Sequence, residues 1–353
     1  APTQRAVAAE AEALLADDLN ADCRPDLAYV TPSGVSTLLQ GPGGALAPSL
    51  ILPFANVGMA DLAAGDLNYD GQPDLAALRG TGSSTRQLDL FTMRRGVLAA
   101  KQDRAVADGG FAAHSVAIGD VTNDGRADLV VGAGGNMPEA LINIFAQNAD
   151  GTLPTAPRTL DAWHIPEAVA VADINHDGYN DIVALHSGWL ALTVYPGSAD
   201  GPLSAYDTYT LPYSTAYRPE ALALGDLNGD GGLDVLIADG ERGATYLINS
   251  AGAPRSSITA PADCGVVRSS AFTITGVLTN ATELEVSLDG GRTWEAATVD
   301  GTSWEYKATL GAEWVYPVIM ARGRNGDRVQ APAATRRMVF QHQRLALPIV
   351  IKQ

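Results

Sequence analysis

Asp226-Leu227-Asn228-Gly229-Asp230-Gly231-Gly232-Leu233-Asp234 decides the reading of this chain. It follows the pattern Asp-x-Asn-x-Asp-Gly-x-x-Asp and lies between two apolar runs, 221–224 and 235–238. Oxygen-bearing side chains at positions 1, 3, 5 and 9 suit a hard cation such as Ca²⁺, which takes six to eight oxygen ligands. Glycine at position 6 permits the left-handed backbone that folds a short loop around an ion.

The nonamer recurs. Earlier copies run Asp18–Asp26, Asp66–Asp74, Asp120–Asp128 and Asp173–Asp181, with first positions 48, 54, 53 and 53 residues apart along the five. A fixed period of this size marks a repeat architecture. Each period reads as four short strands. In the third, 115–118 enters the loop, 129–132 leaves it, and 140–146 and 158–162 follow, as expected for one blade of a β-propeller. Small apolar residues beside the loops suit innermost strands buried on both faces.

These loops and their period resemble the FG-GAP/VCBS repeats of integrin α-subunit heads and of many secreted bacterial proteins. The resemblance covers residues 1–260 and implies a calcium-binding β-propeller, here with five blades. By that resemblance the ligands are Asp66, Asn68, Asp70, Gln72 and Asp74 in the second loop, with position 7 giving a backbone carbonyl. The third loop supplies Asp120, Thr122, Asp124, Arg126 and Asp128; the fourth supplies Asp173, Asn175, Asp177, Tyr179 and Asp181. The fifth supplies Asp226, Asn228, Asp230, Gly232 and Asp234, and the degenerate first copy offers Asp18, Asn20, Asp22 and Asp26.

Thr122 at position 3 is a weaker donor than Asn, and Cys23 at position 6 is disfavoured in a left-handed backbone. Metal-free turns held by Asx hydrogen bonds are the alternative for these loops. An EF-hand needs a bidentate Glu at position 12, where the well-formed copies have Ala77, Val131, Ala184 and Ile237.

From Cys264 onward the acidic loop is absent and alternating strand patterns take over: 272–275, 283–288, 304–308 and 316–321. Asp289-Gly290-Gly291-Arg292 and Asn325-Gly326-Asp327 read as hairpin turns. The stretch Val286–Glu295 with Trp304 resembles bacterial immunoglobulin-like modules, implying a β-sandwich over 261–340. Residues 251–262 read as a last blade strand running into a linker. Residues 341–353 form a tail whose apolar strand Arg344–Lys352 either edges the sandwich or pairs with a neighbouring subunit. Ala6–Glu10 is a second terminal candidate, closing the propeller or reaching a neighbour. Cys23 and Cys264 bracket the propeller sequence, and a disulfide between them would close it.

The formal charge of −17 argues against a nucleic-acid partner. Fifteen of the 40 acidic residues lie in the five loops, and five Ca²⁺ would bring the charge to −7. No apolar run spans a membrane. The start Ala1-Pro2-Thr3 reads as that of a mature chain after signal-peptide removal, and millimolar extracellular calcium suits such loops, so an extracellular location is expected. The five histidines show no zinc spacing, and His176, inside a loop, is expected to face solvent. No nucleophile elbow or P-loop occurs. Trp163 and Trp189 read as packing between blades or as the lining of a sugar site. The expectation is a non-enzymatic, secreted structural protein that self-associates into a filament or sheath. The alternative is an adhesin or lectin-like module recognising a glycan or protein.

Overall fold

The computed structural model describes residues 11–48, 52–53, 61–80, 86–94, 97–202, 204–212, 221–239, 243–249, 254–263, 265–310, 318–326, 328–330 and 333–340. Over these residues the protein is all-β, with a short 3₁₀ turn at Ser187–Trp189. Among the described residues no helix is long and apolar enough to cross a membrane. The chain divides into two compact units, Ala1–Ala253 and Pro254–Gln353.

Among the described residues, the first unit holds five antiparallel sheets taken in chain order. The first has β1 (Ala13–Asp17), β2 (Asp26–Thr31), β3 (Gly34–Gln40) and β4 (Leu46–Pro48), with β5 (Leu52–Pro53) also on β3. The second has β6 (Asp61–Gly65), β7 (Asp74–Gly80), β8 (Arg86–Arg94) and β9 (Val97–Arg104). The third has β10 (Ala113–Gly119), β11 (Asp128–Ala133), β12 (Leu141–Phe145) and β13 (Arg158–Asp161). The fourth has β14 (Ala168–Ala172), β15 (Asp181–His186), β16 (Ala191–Tyr195) and β17 (Asp207–Thr210). The fifth has β18 (Leu222–Gly225), β19 (Asp234–Asp239) and β20 (Gly243–Leu247).

One register repeats through all five. The residue before each loop pairs with position 9: Asp17 with Asp26, Gly65 with Asp74, Gly119 with Asp128, Ala172 with Asp181 and Gly225 with Asp234. Among the described residues, four hydrophobic clusters join each sheet to the next. Val30 and Val35 meet Leu75 and Phe91, and Leu78 and Leu88 meet Val131 and Phe145. Val130 and Ile144 meet Ile182 and Tyr195, and Val183 and Leu192 meet Val235 and Ile237. Fully burying each such side chain contributes about 1.5–3 kcal/mol. Strands β11 and β15 are buried along their whole length, which explains their unbroken apolar runs.

First strands of successive sheets adjoin, β1 to β6, β6 to β10, β10 to β14 and β14 to β18. The approach is close enough to demand glycine. A Cβ on Gly119 would come within 2.5 Å of Val171 Cγ1, and one on Gly65 would overlap Ile118.

The second unit is a two-layer β-sandwich. One sheet orders β21 (Arg255–Ala260), β23 (Ala271–Thr279), β27 (Ser303–Thr309) and β26 (Thr298–Asp300); β22 (Val266–Val267) lies between β21 and β23 in the chain. The other orders β25 (Glu295–Ala296), β24 (Glu283–Ser287), β28 (Val318–Asn325) and β29 (Arg328–Val329), with β30 (Ala334–Arg337) also on β28. Strand β22 pairs in parallel with β31 (Val339–Phe340). Ile258, Ile274 and Trp304 of one sheet share a core with Leu284, Val286 and Ile319 of the other. Both expected hairpins form, between β24 and β25 and between β28 and β29.

The sequence places 251–262 at the end of the propeller. Instead β21 pairs with β23 inside the second unit, so the boundary falls at 253/254. An alternating Ser-Ser-Ile-Thr strand fits any apolar face, and the partner on offer was the sandwich, whose core receives Ile258. The terminal candidates Ala6–Glu10 and Arg344–Lys352 lie outside the described residues, as does Cys264. Cys23 is disulfide-bonded.

Candidate functional site

The five acidic loops share one backbone. Position 4 is left-handed throughout, at Ala21, Tyr69, Asn123, His176 and Gly229, and so is position 6, at Cys23, Gly71, Gly125, Gly178 and Gly231. Cys23 takes this conformation with φ 67° despite its side chain, so the first loop keeps the shape of the others. Left-handed backbone at two alternate positions turns successive amides inward, forming a concave ring of donors.

The acidic side chains fill that ring by rule. Position 1 accepts from the amides of positions 5 and 6: Asp66 from Asp70 and Gly71, Asp120 from Asp124 and Gly125, Asp173 from Asp177 and Gly178. Asp18 does the same with Asp22 and Cys23, whereas Asp226 takes Gly229 and Gly231. Asn20, Asn68, Asn175 and Asn228 at position 3 each accept from the position 5 amide. Position 5 accepts from the position 7 amide: Asp22 from Arg24, Asp70 from Gln72, Asp124 from Arg126, Asp177 from Tyr179 and Asp230 from Gly232. In the first and third loops an arginine at position 7 also pairs with that carboxylate, Arg24 with Asp22 and Arg126 with Asp124.

Position 9 has a second task that the spacing did not reveal. Its Oδ1 accepts the amide at the end of the third strand of its own sheet: Asp26 from Gln40, Asp74 from Met93, Asp128 from Gln147, Asp181 from Gly197 and Asp234 from Asn249. Its Oδ2 accepts the position 2 amide at Leu19, Val121, Ile174 and Leu227. All five are buried. Each therefore ties its loop to the rest of its sheet.

Burial is the first cause that raises Asp26, Asp66, Asp74, Asp120, Asp128, Asp173 and Asp181 above the ordinary carboxylate range. Asp74 and Asp173 rise to about 7, and Asp128 and Asp181 to about 6. Neighbouring carboxylates of the same loop add repulsion, Asp70 and Asp66 on Asp74, and Asp177 and Asp181 on Asp173. Buried like charges with oxygen-only donors fit a hard divalent cation, which would relieve the repulsion. The cage is not preformed: among the described residues no three acidic, His or Cys side chains converge as a metal cluster. Binding would exchange some amide bonds for metal bonds at positions 1, 3 and 5.

His176, expected in solvent, is buried at 1% exposure. Position 4 lies at the junction with the following sheet, as Gly151 against Tyr69 shows in the second loop. That junction is knit by side chains reaching back to loop carbonyls, Gln147 to Asp66, Asn180 to Asp120 and Asn249 to Ile174.

At the other end of the strands stand Trp163 and Trp189. Trp189 is 48% exposed rather than enclosed between sheets. Its ring stacks on His164, which a sequence reading had no cause to single out.

An FG-GAP-like repeat model matches residues 18–77, 120–184 and 173–237, just over half of the chain. The chain belongs to the FG-GAP-like repeat family. Each match opens on position 1 of a loop, Asp18, Asp120 or Asp173, and closes twelve positions into the next, at Ala77, Ala184 or Ile237, so the acidic loops frame the FG-GAP-like unit. No curated protein matches the chain. Three solved structures resemble it distantly. The Tc holotoxin pore of Photorhabdus luminescens is 14% identical, with 90% of this chain and 17% of that one covered and a TM-score of 0.40. An engineered protein is 18% identical over 26% of this chain and 20% of its own, with a TM-score of 0.22. The N-terminal four Ig domains of Dscam1 are 11% identical over 76% and 80%, with a TM-score of 0.19. The chain thus spans a fifth or less of the first two.

Proposed function

We propose that this protein is a non-enzymatic, secreted building block: a five-bladed, calcium-stabilised β-propeller joined to an immunoglobulin-like sandwich, assembling with its own copies into an extracellular filament or sheath. The observation that carries the calcium reading is the common backbone of the five loops, with buried carboxylates repelling one another inside it. Calcium is structural here. It neutralises those carboxylates and rigidifies the turn between the first two strands of each blade, so that its binding energy becomes folding energy. The acidic side chains are spent on capping loop amides, which favours a scaffold over acid–base catalysis.

The assembly reading is supported by an edge. Among the described residues the fifth sheet has three strands where the second, third and fourth have four, and β20 has a neighbour on one side only. Its residues are mostly exposed. An unpaired edge of this kind accepts an added strand, and a terminal segment of a second copy is the strand proposed.

Electron microscopy and a thermal melt of the purified chain, with millimolar calcium and with EGTA, test both parts. Regular filaments and a melting temperature that falls by at least several degrees in EGTA are expected. An unchanged melt overturns the calcium role. Dispersed single particles at high concentration in calcium overturn the assembly role and leave the calcium role standing.

A further inference from the structure

Opposite the acidic loops, the connections β11–β12, β13–β14 and β15–β16 bring aromatic side chains together on the surface. Trp189 ends the turn Ser187–Trp189, and its indole lies parallel to the His164 imidazole, with centroids 3.8 Å apart and planes at 10°. Trp189 Nε1–H donates to Asn136 Oδ1 at 2.8 Å. The Met137 amide donates to His164 Nδ1 at 3.3 Å, which leaves the ring proton on Nε2. Trp163 meets the same imidazole edge-on at 5.0 Å. Three separate connections therefore fix one ring.

The support beneath is as firm. The buried Glu167 carboxylate accepts the Ser187 amide at 2.8 Å, anchoring the turn that carries Trp189. Buried His186 holds the carbonyls of His164 and Ile165 through Nδ1 and the Thr193 hydroxyl through Nε2. With one indole face on His164 and its N–H engaged, Trp189 is still 48% exposed. Met137, bonded to His164, is 49% exposed, and Phe111, whose ring covers Gly135 next to Asn136, is 48% exposed.

We propose that this platform binds a pyranose ring of a glycan. The apolar C–H face of the sugar stacks on the face of Trp189 opposite His164. The Asn136 amide nitrogen, at the indole rim where Oδ1 takes the Trp189 N–H, is the donor placed for its hydroxyls. A flat ring locked in advance loses little rotamer entropy on binding, and amides at its rim give the directional bonds that sugars need. A protein partner would need about 800 Å² on each side, more than the exposed parts of four side chains offer. The inference is independent of the assembly reading, since a monomer carries the whole platform.

The test uses the full chain in calcium. A glycan array is followed by titration of methyl glucoside, galactoside, mannoside and N-acetylglucosaminide, read by tryptophan fluorescence and calorimetry. At least one glycoside should bind, Trp189→Ala should weaken it at least tenfold, and Trp189→Phe should stay within about threefold. The Trp189→Ala melt should match the parent, and Asn136→Ala, which leaves the stack on His164, should weaken binding by a lesser factor. Failure of every array glycan and glycoside overturns the proposal, as does unaltered binding by Trp189→Ala. Capture of a peptide or protein at Trp189 without any glycan overturns it in favour of a protein ligand.

Discussion

Gln147 Nε2–H donates to the main-chain oxygen of Asp66 at 2.9 Å, across 81 residues of chain. The end of one sheet thus holds the first position of the preceding sheet's acidic loop. Asn180 does the same for Asp120 at 2.7 Å, and Asn249 reaches Ile174 at 2.6 Å. The acidic loops are therefore joints between sheets as well as turns within them.

Gln147→Ala should cost about 1–2 kcal/mol, because it strands a carbonyl at a packed junction. Urea unfolding gives the value, and amide exchange should speed up in the second loop more than in the fourth. Uniform exchange in the two loops would mean that Gln147 is not a joint.

Asp128 and Asp124 separate the two tasks of a loop. Asp128 caps the amides of Val121, Thr122 and Gln147 and is buried, whereas Asp124 caps Arg126 and pairs with its guanidinium. In EGTA, Asp128→Asn should destabilise by roughly 2–3 kcal/mol, since an amide –NH₂ replaces an acceptor among donors. Asp124→Asn should cost less than about 1 kcal/mol, because its pair with Arg126 is partly solvated and the asparagine still accepts the Arg126 amide. In calcium the gap should narrow, as both variants lose a ligand. Parallel urea curves for the two variants in both conditions would remove the distinction.

Gly119 faces Val171 so closely that even a methyl group has no room. Gly119→Ala should destabilise by about 1–3 kcal/mol through overpacking. Combining it with Val171→Ala should cost less than the sum of the two single changes, because the second opens space for the first. Additive costs would show that the two strands relax apart.

Much of this was legible from local chemistry. Asp at positions 1 and 9 and Gly at position 6 constrain the backbone directly, so loops, register and the four strands of a repeat follow from the sequence. Position 4 left a weaker mark: Asn123, His176 and Gly229 tolerate φ above zero, but Ala21 and Tyr69 do not advertise it, so no common signal runs through the five copies. The partner of Arg255–Ala260 was hidden for another reason. Alternation fixes which side of a strand is apolar, but not which sheet receives it. The aromatic platform needed the fold itself, because Met137 meets His164 across 27 residues and Asn136 meets Trp189 across 53.

Glu167 and His186 make opposite demands on pH beneath that platform. Burial raises Glu167 to about 7 from an ordinary 4.5, against the pull of the Ser187 and Gly188 amides. Burial lowers His186 to about 4 from 6.5, aided by His164, which is itself shifted down by burial. Between pH 4.5 and 7 the folded state holds the Glu167 proton that the unfolded chain has lost, so this group's contribution falls as pH rises. Between pH 4 and 6.5 the folded state keeps His186 neutral while the unfolded chain is protonated, so that contribution rises with pH. From 4.5 to 6.5 the two slopes oppose and nearly cancel. Glu167→Gln keeps an oxygen for the Ser187 amide and removes one slope. Measured by urea unfolding at saturating calcium, the variant should gain stability steadily from pH 4 to 6.5. At pH 8 it should exceed the parent by on the order of 1–3 kcal/mol. A pH profile parallel to the parent's would mean that Glu167 is ionised in the folded protein throughout and that the turn beneath Trp189 is held by a charged anchor.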